Sequence, residues 1–314
     1  MQVDGPAQWT VIVNPASAGG KAEKVWEAAA AALRQAGVDF RVLWTTQRGD
    51  ATKLTRTAIQ EGARRILAVG GDGTNHEVVN GILQQQVLPS AEVLYGLWPV
   101  GTGNDWIKTY QLPTTTAALI TMIKGEQSQV QDIGWVEFQR NDKSEVRFFV
   151  NILGMAYDGN VVYEVEQSLA KGGKMSRWIY LQATFRSLLG YQTPQTEVRI
   201  NGKSLRGRHI LINAGICRYS GGGMQFVPHA DPQDGHLAIT VAGDLNALGV
   251  VLATPKFYNG QIGKHPKVQL FQAEHFEVEV FDDLPLHVEA DGEFLGYGPV
   301  RVGIIPRALR FLVP

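Results

Sequence analysis

The sequence has few of the features that mark secreted, membrane-spanning or nucleic-acid-binding proteins. Its one cysteine, Cys217, allows no internal disulfide framework, which is typical of a reducing compartment. No apolar run approaches the roughly 20 residues of a membrane-spanning helix, and Met1 to Gln8 has no apolar core of a signal peptide. The 29 basic and 30 acidic residues nearly cancel, so nothing favours a nucleic-acid partner. We therefore expect a cytoplasmic protein.

The chain has enough residues for two hydrophobic cores. Its 314 residues exceed the usual span of one core. The hydrophobic fraction of 44% and the mean hydropathy of -0.09 are those of a globular protein. Two domains are therefore expected.

The first part of the chain alternates between strand patterns and helix patterns. This alternation predicts a parallel sheet with helices on both faces. The predicted strands are Trp9–Val13, Phe40–Trp44, Arg65–Val69 and Val93–Pro99. The predicted helices are Ala22–Gln35, one with Asp50 as its N-cap, Asn75–Gln85, a short one through Trp106 and Thr115–Lys124.

Residues 70–77, Gly-Gly-Asp-Gly-Thr-Asn-His-Glu, join a predicted buried strand to a predicted helix. Glycines let the backbone approach an anion, and the free N–H groups at a helix N-terminus favour a phosphate there. Asp72 would repel a phosphate unless a cation such as Mg²⁺ lay between them. The stretch therefore indicates a metal–nucleotide site, with a ligand-free tight turn as the alternative.

Two further loops follow predicted strands of the same sheet. Residues 14–21 carry Asn-Pro-Ala-Ser-Ala-Gly-Gly-Lys, and residues 100–105 carry Val-Gly-Thr-Gly-Asn-Asp. Residues 14–21 are not a Walker A motif, and neither they nor residues 70–77 fit the dinucleotide fingerprint. Because ligands of open α/β sheets bind at the carboxyl ends of strands, these loops are expected to share one site with residues 70–77.

Strand patterns dominate after Gln131 and predict a second, mostly antiparallel β domain. Asn201-Gly202 is a hairpin signal within it. The predicted strands are Gln129–Phe138, Arg147–Leu153, Glu197–Ile200, His209–Ala214, His236–Val241, Lys267–Phe271, Phe276–Val280, Leu286–Ala290 and Val302–Val313. The predicted helices are Gly159–Gln167, Lys174–Leu189 and Leu245–Tyr258. We place the domains at residues 1–131 and 132–301, with residues 302–314 packing on either.

Four motifs in order resemble the diacylglycerol-kinase catalytic family, the lipid kinases that include sphingosine and ceramide kinases. They are Asn14-Pro15-x-Ser17, residues 70–74, residues 99–105 and the late stretch from Tyr219 to Gly235. The resemblance covers nearly the whole chain. It implies a phosphofructokinase-like or NAD-kinase-like α/β domain that binds ATP, then a β-sandwich domain, with the active site in the cleft between them.

The resemblance also assigns the nucleotide and its metal to residues of the first domain. Those that would hold ATP are Asn14, Thr45, Gly70, Gly71, Asp72, Gly73, Thr74, Asn75, His76, Gly101, Thr102, Gly103 and Asn104. Asp72 would address Mg²⁺, while Asp105 and Asp132 would support an inter-domain metal and water network. His76 replaces the family's usual asparagine, as in sphingosine-kinase-like members, so the motif does not identify the lipid substrate.

The second domain would carry the general base and a structural metal site. Asp291-Gly292-Glu293 matches the family's late Asp-Gly-Glu, and we favour Asp291 over Glu293 as the base. A structural Mg²⁺ would bind the side chain of Asp234 and the backbone carbonyls of Asp231 and His236.

A lipid substrate would be presented at a membrane surface, so peripheral membrane association is expected. Lys171, Lys174 and Arg177 stand beside aromatic residues, and this stretch would line the acyl-chain entrance or form a core helix. The protein could also form a homodimer. The function predicted is an ATP-dependent lipid kinase acting on diacylglycerol, a related glycerolipid or a sphingoid base. An NAD kinase and a non-catalytic nucleotide or lipid sensor are the alternatives.

Overall fold

The computed structural model describes residues 8–101, 103–170, 188 and 190–314. The chain forms two compact units. Unit 1 comprises Met1–Ile133 and Pro306–Pro314, and unit 2 comprises Gly134–Ile305. Within the described part of the chain, none of the helices has the length and apolar character needed to cross a bilayer.

Unit 1 contains a parallel sheet in the order β16-β4-β3-β1-β2. The strands of unit 1 are β1 Trp9–Val13, β2 Phe40–Trp44, β3 Arg65–Gly70, β4 Leu94–Pro99, the first part of β5 Ser128–Arg140 and the last part of β16 Glu293–Leu312. Its helices are α1 Ala22–Gln35, α2 Asp50–Gln60, α3 Asp72–Gln84, α4 Asp105–Tyr110 and α5 Thr116–Gly125.

The helices of unit 1 cover the sheet with apolar side chains at helical spacing. In α1, Trp26, Ala29 and Leu33 are buried, and the Trp26 ring meets Phe40 and Trp98 edge-on at 5.5 and 6.1 Å. Strands β1, β3 and β4 are buried almost throughout, as expected for the centre of a parallel sheet.

The start of α2 differs from the prediction that Asp50 is its N-cap. Asp50 is the first helical residue. Its carboxylate accepts the Thr46 hydroxyl and the backbone N–H groups of Thr46 and Gln47, and these bonds lower its pKa to about 2. Glu77 from α3 instead accepts the N–H groups of Gly49 and Ala51, at 2.7 and 3.0 Å. Because Glu77 lies in another helix, sequence spacing could not reveal this cap.

Unit 2 is built from antiparallel pairs. Its strands are the rest of β5 and β16 with β6 Lys143–Phe149, β7 Ile152–Ala156, β8 Gln195–Ile200, β9 Lys203–Gly215, β10 Tyr219–Ser220, β11 Met224–Gln225, β12 Leu237–Gly243, β13 Val268–Ala273, β14 His275–Val280 and β15 His287–Ala290. The longer helices among the described residues of unit 2 are α6 Tyr157–Ala170 and α7 Ala247–Tyr258, and a short 3-10 helix spans Ile262–Lys264. One run of strands has the order β13-β12-β9-β7-β15-β16.

Several strand boundaries in unit 2 differ from the sequence prediction. The predicted strand Arg147–Leu153 is two strands, β6 and β7, because the backbone N–H groups of residues 150–152 bind the Asp291 side chain. Asn201 and Gly202 both have positive φ, so the predicted tight hairpin turn is present between β8 and β9. The predicted helix Lys174–Leu189 and its cations lie outside the described residues, apart from Leu188.

Candidate functional site

Three loops of unit 1 meet at the carboxyl ends of β1, β3 and β4. Asn14 Nδ2 donates to Thr74 Oγ1 at 3.1 Å, which joins the loop after β1 to the first turn of α3. A Cβ on Gly70 would lie within 3.0 Å of Thr74 Oγ1, so the Thr74 hydroxyl reaches Asn14 only because residue 70 is glycine. Two of the loops that we expect to share one site are thus in contact, and their binding of a common ligand stays a prediction.

Asp72 joins the second loop to the third. Its Oδ1 accepts the backbone N–H of Asp105 at 3.1 Å, and a Cβ on Gly103 would lie 2.7 Å from its Oδ2. A Cβ on Gly101 would lie 3.3 Å from the Gly71 Cα. Two of the predicted glycines thus allow the loops to pack closely around one carboxylate.

The first turn of α3 is suited to an anion. Its N-cap Gly71 has no side chain that could cap this 13-residue helix, and the first-turn N–H groups of such a helix favour a bound anion. Nearby, Asn104 has a φ of 49° and its buried Oδ1 has no partner among the described residues. N–H donors for phosphate, one carboxylate for a divalent cation and an unpaired amide oxygen together fit a metal–nucleotide ligand.

Other predicted nucleotide residues occupy the surroundings of this loop cluster. The Asn75 side chain is buried, and its Oδ1 accepts from Tyr95 at 2.6 Å. His76 is buried in α3, 3.3 Å from Asn80 Nδ2. Thr45 N donates to Val13 O at 3.0 Å, which places it beside the end of β1. Thr102 lies outside the described residues.

The predicted base motif of unit 2 forms a turn between β15 and β16. Asp291 has a φ of 52°, and its carboxylate accepts the N–H groups of Val150, Asn151 and Ile152 at 3.0, 2.9 and 3.1 Å. Asp291 N donates in turn to Ile152 O. The Asp291 side chain is therefore held in one orientation by the backbone ahead of β7, while Glu293 starts β16 and is partly exposed.

A pair of carboxyl groups, the buried Glu289 and the partly exposed Asp158, lies beside this turn and was not predicted from the sequence. Glu289 Oε2 accepts the N–H of Gly292 at 2.8 Å, and Asp158 Oδ2 accepts from Asn213 Nδ2 at 2.9 Å. A Cβ on Gly154 would come within 3.0 Å of both Glu289 Oε1 and Asp158 Oδ2. These two oxygens are therefore no more than about 5 Å apart, close enough for strong repulsion between two charges.

This pair retains protons that ordinary carboxyl groups release. Burial raises the pKa of Asp158 to about 6, although the bond from Asn213 opposes that shift. Burial, together with the nearby charge of Asp158, raises the pKa of Glu289 well above its usual range. One signal was available in the sequence: Glu289 is the one acid in the otherwise neutral strand His287–Ala290. Burying a carboxyl group in such a strand is costly, so its presence indicates a special environment.

The remaining predicted metal residues have local partners. The buried Asp132 accepts the N–H of Arg307 at 2.7 Å, and Asp105 pairs with Lys108. Asp231 and Asp234 accept the N–H groups of residues two positions further on, and His236 Nδ1 lies 2.8 Å from Asp234 O. Among residues 8–101, 103–170, 188 and 190–314, no three His, Cys, Asp or Glu side chains form a metal cluster. A site built from backbone carbonyls stays a prediction.

Two family models match consecutive parts of the chain. The diacylglycerol kinase catalytic domain matches residues 8–136. The YegS C-terminal NAD kinase beta sandwich-like domain matches residues 151–313. The chain belongs to the diacylglycerol kinase catalytic family. The resemblance based on four motifs is therefore confirmed, and so are two domains with a β-rich second domain.

Individual relatives agree with this family. The chain is 28% identical over 307 residues to a diacylglycerol kinase of Staphylococcus aureus, covering 97% of this chain and 91% of that protein. It is 27% identical over 293 residues to one of Staphylococcus carnosus, covering 93% and 90%. A Bacillus anthracis crystal structure assigned as a diacylglycerol kinase superposes with a TM-score of 0.73 at 24% identity, covering 98% of each chain. Yeast NADH kinase, at 11% identity and a TM-score of 0.56, shares the fold, covering 99% of this chain and 84% of that one.

Proposed function

We propose that this lipid kinase of the diacylglycerol-kinase family transfers the γ-phosphate of ATP to the hydroxyl of diacylglycerol or a related lipid. The observation that carries the proposal is the meeting of three loops around Asp72 at the start of α3, whose N-cap is a glycine. Phosphoryl transfer needs held phosphates, neutralised charge and a positioned alcohol, and these residues suit the first two.

Unit 1 would bind and orient the nucleotide. N–H groups of the first turn of α3 would donate to phosphate oxygens, and the Asn104 Oδ1 would accept a donor of the ligand or its hydration shell. Asp72 would hold the cation, since its Oδ1 is fixed by the N–H of Asp105. Bound Mg²⁺ would neutralise charge on the phosphates during transfer.

Unit 2 would supply the carboxylate that takes the proton of the lipid hydroxyl. The three N–H bonds to Asp291 hold its side chain in place. Glu293, two residues further on, is the competing candidate. The Glu289–Asp158 pair would keep the turn in position because Glu289 accepts the Gly292 N–H.

Asp105, Asp132 and the segment from Asp231 to His236 are proposed as supporting metal or water sites. The short contacts of Asp132 and Asp234 to backbone N–H groups already orient these carboxylates. Measuring Mg²⁺ dependence of activity in Asp132→Asn and Asp234→Asn would test both assignments. Sedimentation of the purified protein would test whether it is a homodimer.

The decisive experiment measures transfer of labelled γ-phosphate from ATP with Mg²⁺ to diacylglycerol, phosphatidylglycerol, monoacylglycerol, sphingosine and NAD. Asp72→Ala is run beside Asp142→Asn, which changes an exposed turn aspartate of unit 2. Transfer to a lipid that is lost only in Asp72→Ala supports the proposal. Transfer to NAD alone overturns it in favour of an NAD kinase, and transfer to no acceptor favours a sensor.

A further inference from the structure

Helix α7 has one apolar face packed inside unit 2 and a second apolar face that is uncovered. Val250, Ala253 and Phe257 belong to or pack on a core cluster with Phe226 and Ile262. On the other side, Leu248 is 66% exposed, Val251 43% and Leu252 69%. These three residues have i, i+3 and i+4 spacing and so form one continuous stripe.

An exposed stripe of this kind is unusual in a water-soluble unit. Helices that pack on a core normally turn a polar face to solvent, whereas α7 has no charged residue before Lys256. Tyr258 continues the apolar surface at the end of the helix and is also mostly exposed. The stripe therefore calls for an apolar partner.

The charge around α7 indicates which partner fits. From Leu245 to Ala273 the sequence has no aspartate or glutamate, although the chain has 30 acidic residues. The same segment has three lysines, Lys256, Lys264 and Lys267, and none of them pairs with a carboxylate in the described part of the chain.

The lysines lie near both ends of the helix. Lys267 Nζ donates to the carbonyl of Asp244, just before α7, at 2.7 Å. At the other end, Gln261 N donates to Lys256 O at 2.8 Å, which ties the short turn containing the exposed Lys264 to the last turn of α7. Large aliphatic and aromatic side chains between cations are the pattern of a helix lying in an anionic membrane interface.

We propose that the face of α7 formed by Leu248, Val251, Leu252 and Tyr258 docks on an anionic lipid bilayer, with Lys256, Lys264 and Lys267 contacting its headgroups. This surface is distinct from the segment around Lys171 that the sequence suggested. The inference rests on the proposed function, because a lipid kinase must reach a substrate that resides in a membrane. A second copy of the chain could also cover the apolar face of α7, but that contact would not require the lack of acidic residues or the lysines around the helix.

The experiment is co-sedimentation of the full-length protein with vesicles of phosphatidylcholine alone or with phosphatidylglycerol. Leu248→Ser/Leu252→Ser should weaken partition onto both vesicle types by at least about tenfold. Lys264→Glu/Lys267→Glu should weaken it by about tenfold or more on the anionic vesicles and little on the neutral ones. The matched controls, Val87→Ser/Val146→Ser and Lys143→Glu/Lys203→Glu, change exposed residues elsewhere and should bind as the wild type does.

Two further readings separate this proposal from its rivals. Phosphorylation of a water-soluble, short-chain diacylglycerol should be unchanged in the α7 variants. If the wild-type protein transferred phosphate to no acceptor, the kinase proposal would be refuted, and the vesicle-binding measurements would still test the membrane proposal independently. Unchanged vesicle binding by both α7 variants would overturn the inference. If the α7 variants bound vesicles normally but converted a dimer to a monomer, the face of α7 would be a contact between two copies of the chain. If they bound vesicles normally but had a lower Tm, the face would be covered by the chain itself.

Discussion

The candidate site of unit 1 has glycine loops and a helix N-terminus around one carboxylate, whereas unit 2 brings several carboxyl groups close together. Around Asp72 the neighbours are glycines, the start of α3 with its glycine N-cap and the Asn104 amide. Near Asp291 lie the buried Glu289 and the partly exposed Asp158, whose carboxyl oxygens both approach Gly154. The first arrangement suits an anionic ligand with one cation, and the second suits holding and releasing a proton.

This contrast implies that the two units affect different steps. Changes near Asp72 should weaken nucleotide binding and turnover together. Changes in the acid cluster should leave nucleotide binding intact and alter turnover, stability or their pH dependence. The following variants are chosen to break or sharpen that division.

The largest effect is expected from Asp72→Asn. The amide keeps the size of the side chain but loses the charge for the cation, so kcat/KM should fall by roughly a thousandfold. Initial rates at varied ATP and Mg²⁺ would measure it, with Asp142→Asn as the control. Equal rates in the two variants would show that Asp72 is not part of the site.

The acid pair predicts that stability falls as the pH rises. Above about pH 4 the unfolded chain releases the Asp158 proton, whereas the folded pair retains it to about pH 6 and beyond. The free energy of unfolding should therefore drop by up to about 3 kcal/mol across this range, after allowance for other groups. Asp158→Asn should flatten the slope in urea unfolding curves measured by circular dichroism. A slope identical to that of Asp142→Asn would contradict the pairing.

Gly154→Ala should disturb unit 2 by placing a methyl group between the two carboxyl groups. We expect a loss of about 1–3 kcal/mol of stability and reduced turnover, because Glu289 would release the Gly292 N–H. Gly125→Ala is the matched control, since nothing lies within 4 Å of a Cβ at that position. If nucleotide affinity fell in Gly154→Ala while stability did not, the division between the units would be wrong.

Gly70→Ala, in unit 1, should lower nucleotide affinity, whereas Gly154→Ala should leave it intact. Its methyl group would displace Thr74 from Asn14, so nucleotide affinity should fall, together with about 1–3 kcal/mol of stability. Binding of ATP with Mg²⁺ by calorimetry would measure the change, again beside Gly125→Ala. Wild-type affinity in a destabilised protein would show that the Asn14–Thr74 contact is structural only.

The smallest effect is expected from Asn104. Asn104→Gly removes the amide but still permits the φ of 49°, so the KM for ATP should rise by about tenfold with little change in kcat. Asn104→Asp restores an acceptor and should recover part of the affinity if the Oδ1 is what the ligand contacts. No change in either variant would remove Asn104 from the site.

The sequence predicted the elements that depend on local patterns. The buried run before Gly70, the helical spacing after Asp72 and the Asn201-Gly202 turn each contain their own signal. Elements set by distant residues were not predictable in this way. Glu77 caps α2 from another helix, and Asp291 divides one predicted strand into β6 and β7.

The candidate site follows the same rule. The glycine loops were found because phosphate binding requires a strand, a loop and a helix in sequence. The Asp158–Glu289 pair was missed because its members are far apart along the chain and meet only through the glycine at position 154. Family resemblance located Asp291, but only the structure shows the three N–H groups that orient it.

The most direct test of the division between the units measures nucleotide binding and phosphate transfer on the same preparations of Asp72→Asn and Asp291→Asn. Calorimetric titration with a non-hydrolysable ATP analogue and Mg²⁺ gives binding, and transfer to diacylglycerol gives turnover. We predict that Asp72→Asn loses both, whereas Asp291→Asn binds the analogue as the wild type does and loses transfer. Loss of analogue binding in Asp291→Asn, or intact binding in Asp72→Asn, would contradict the account.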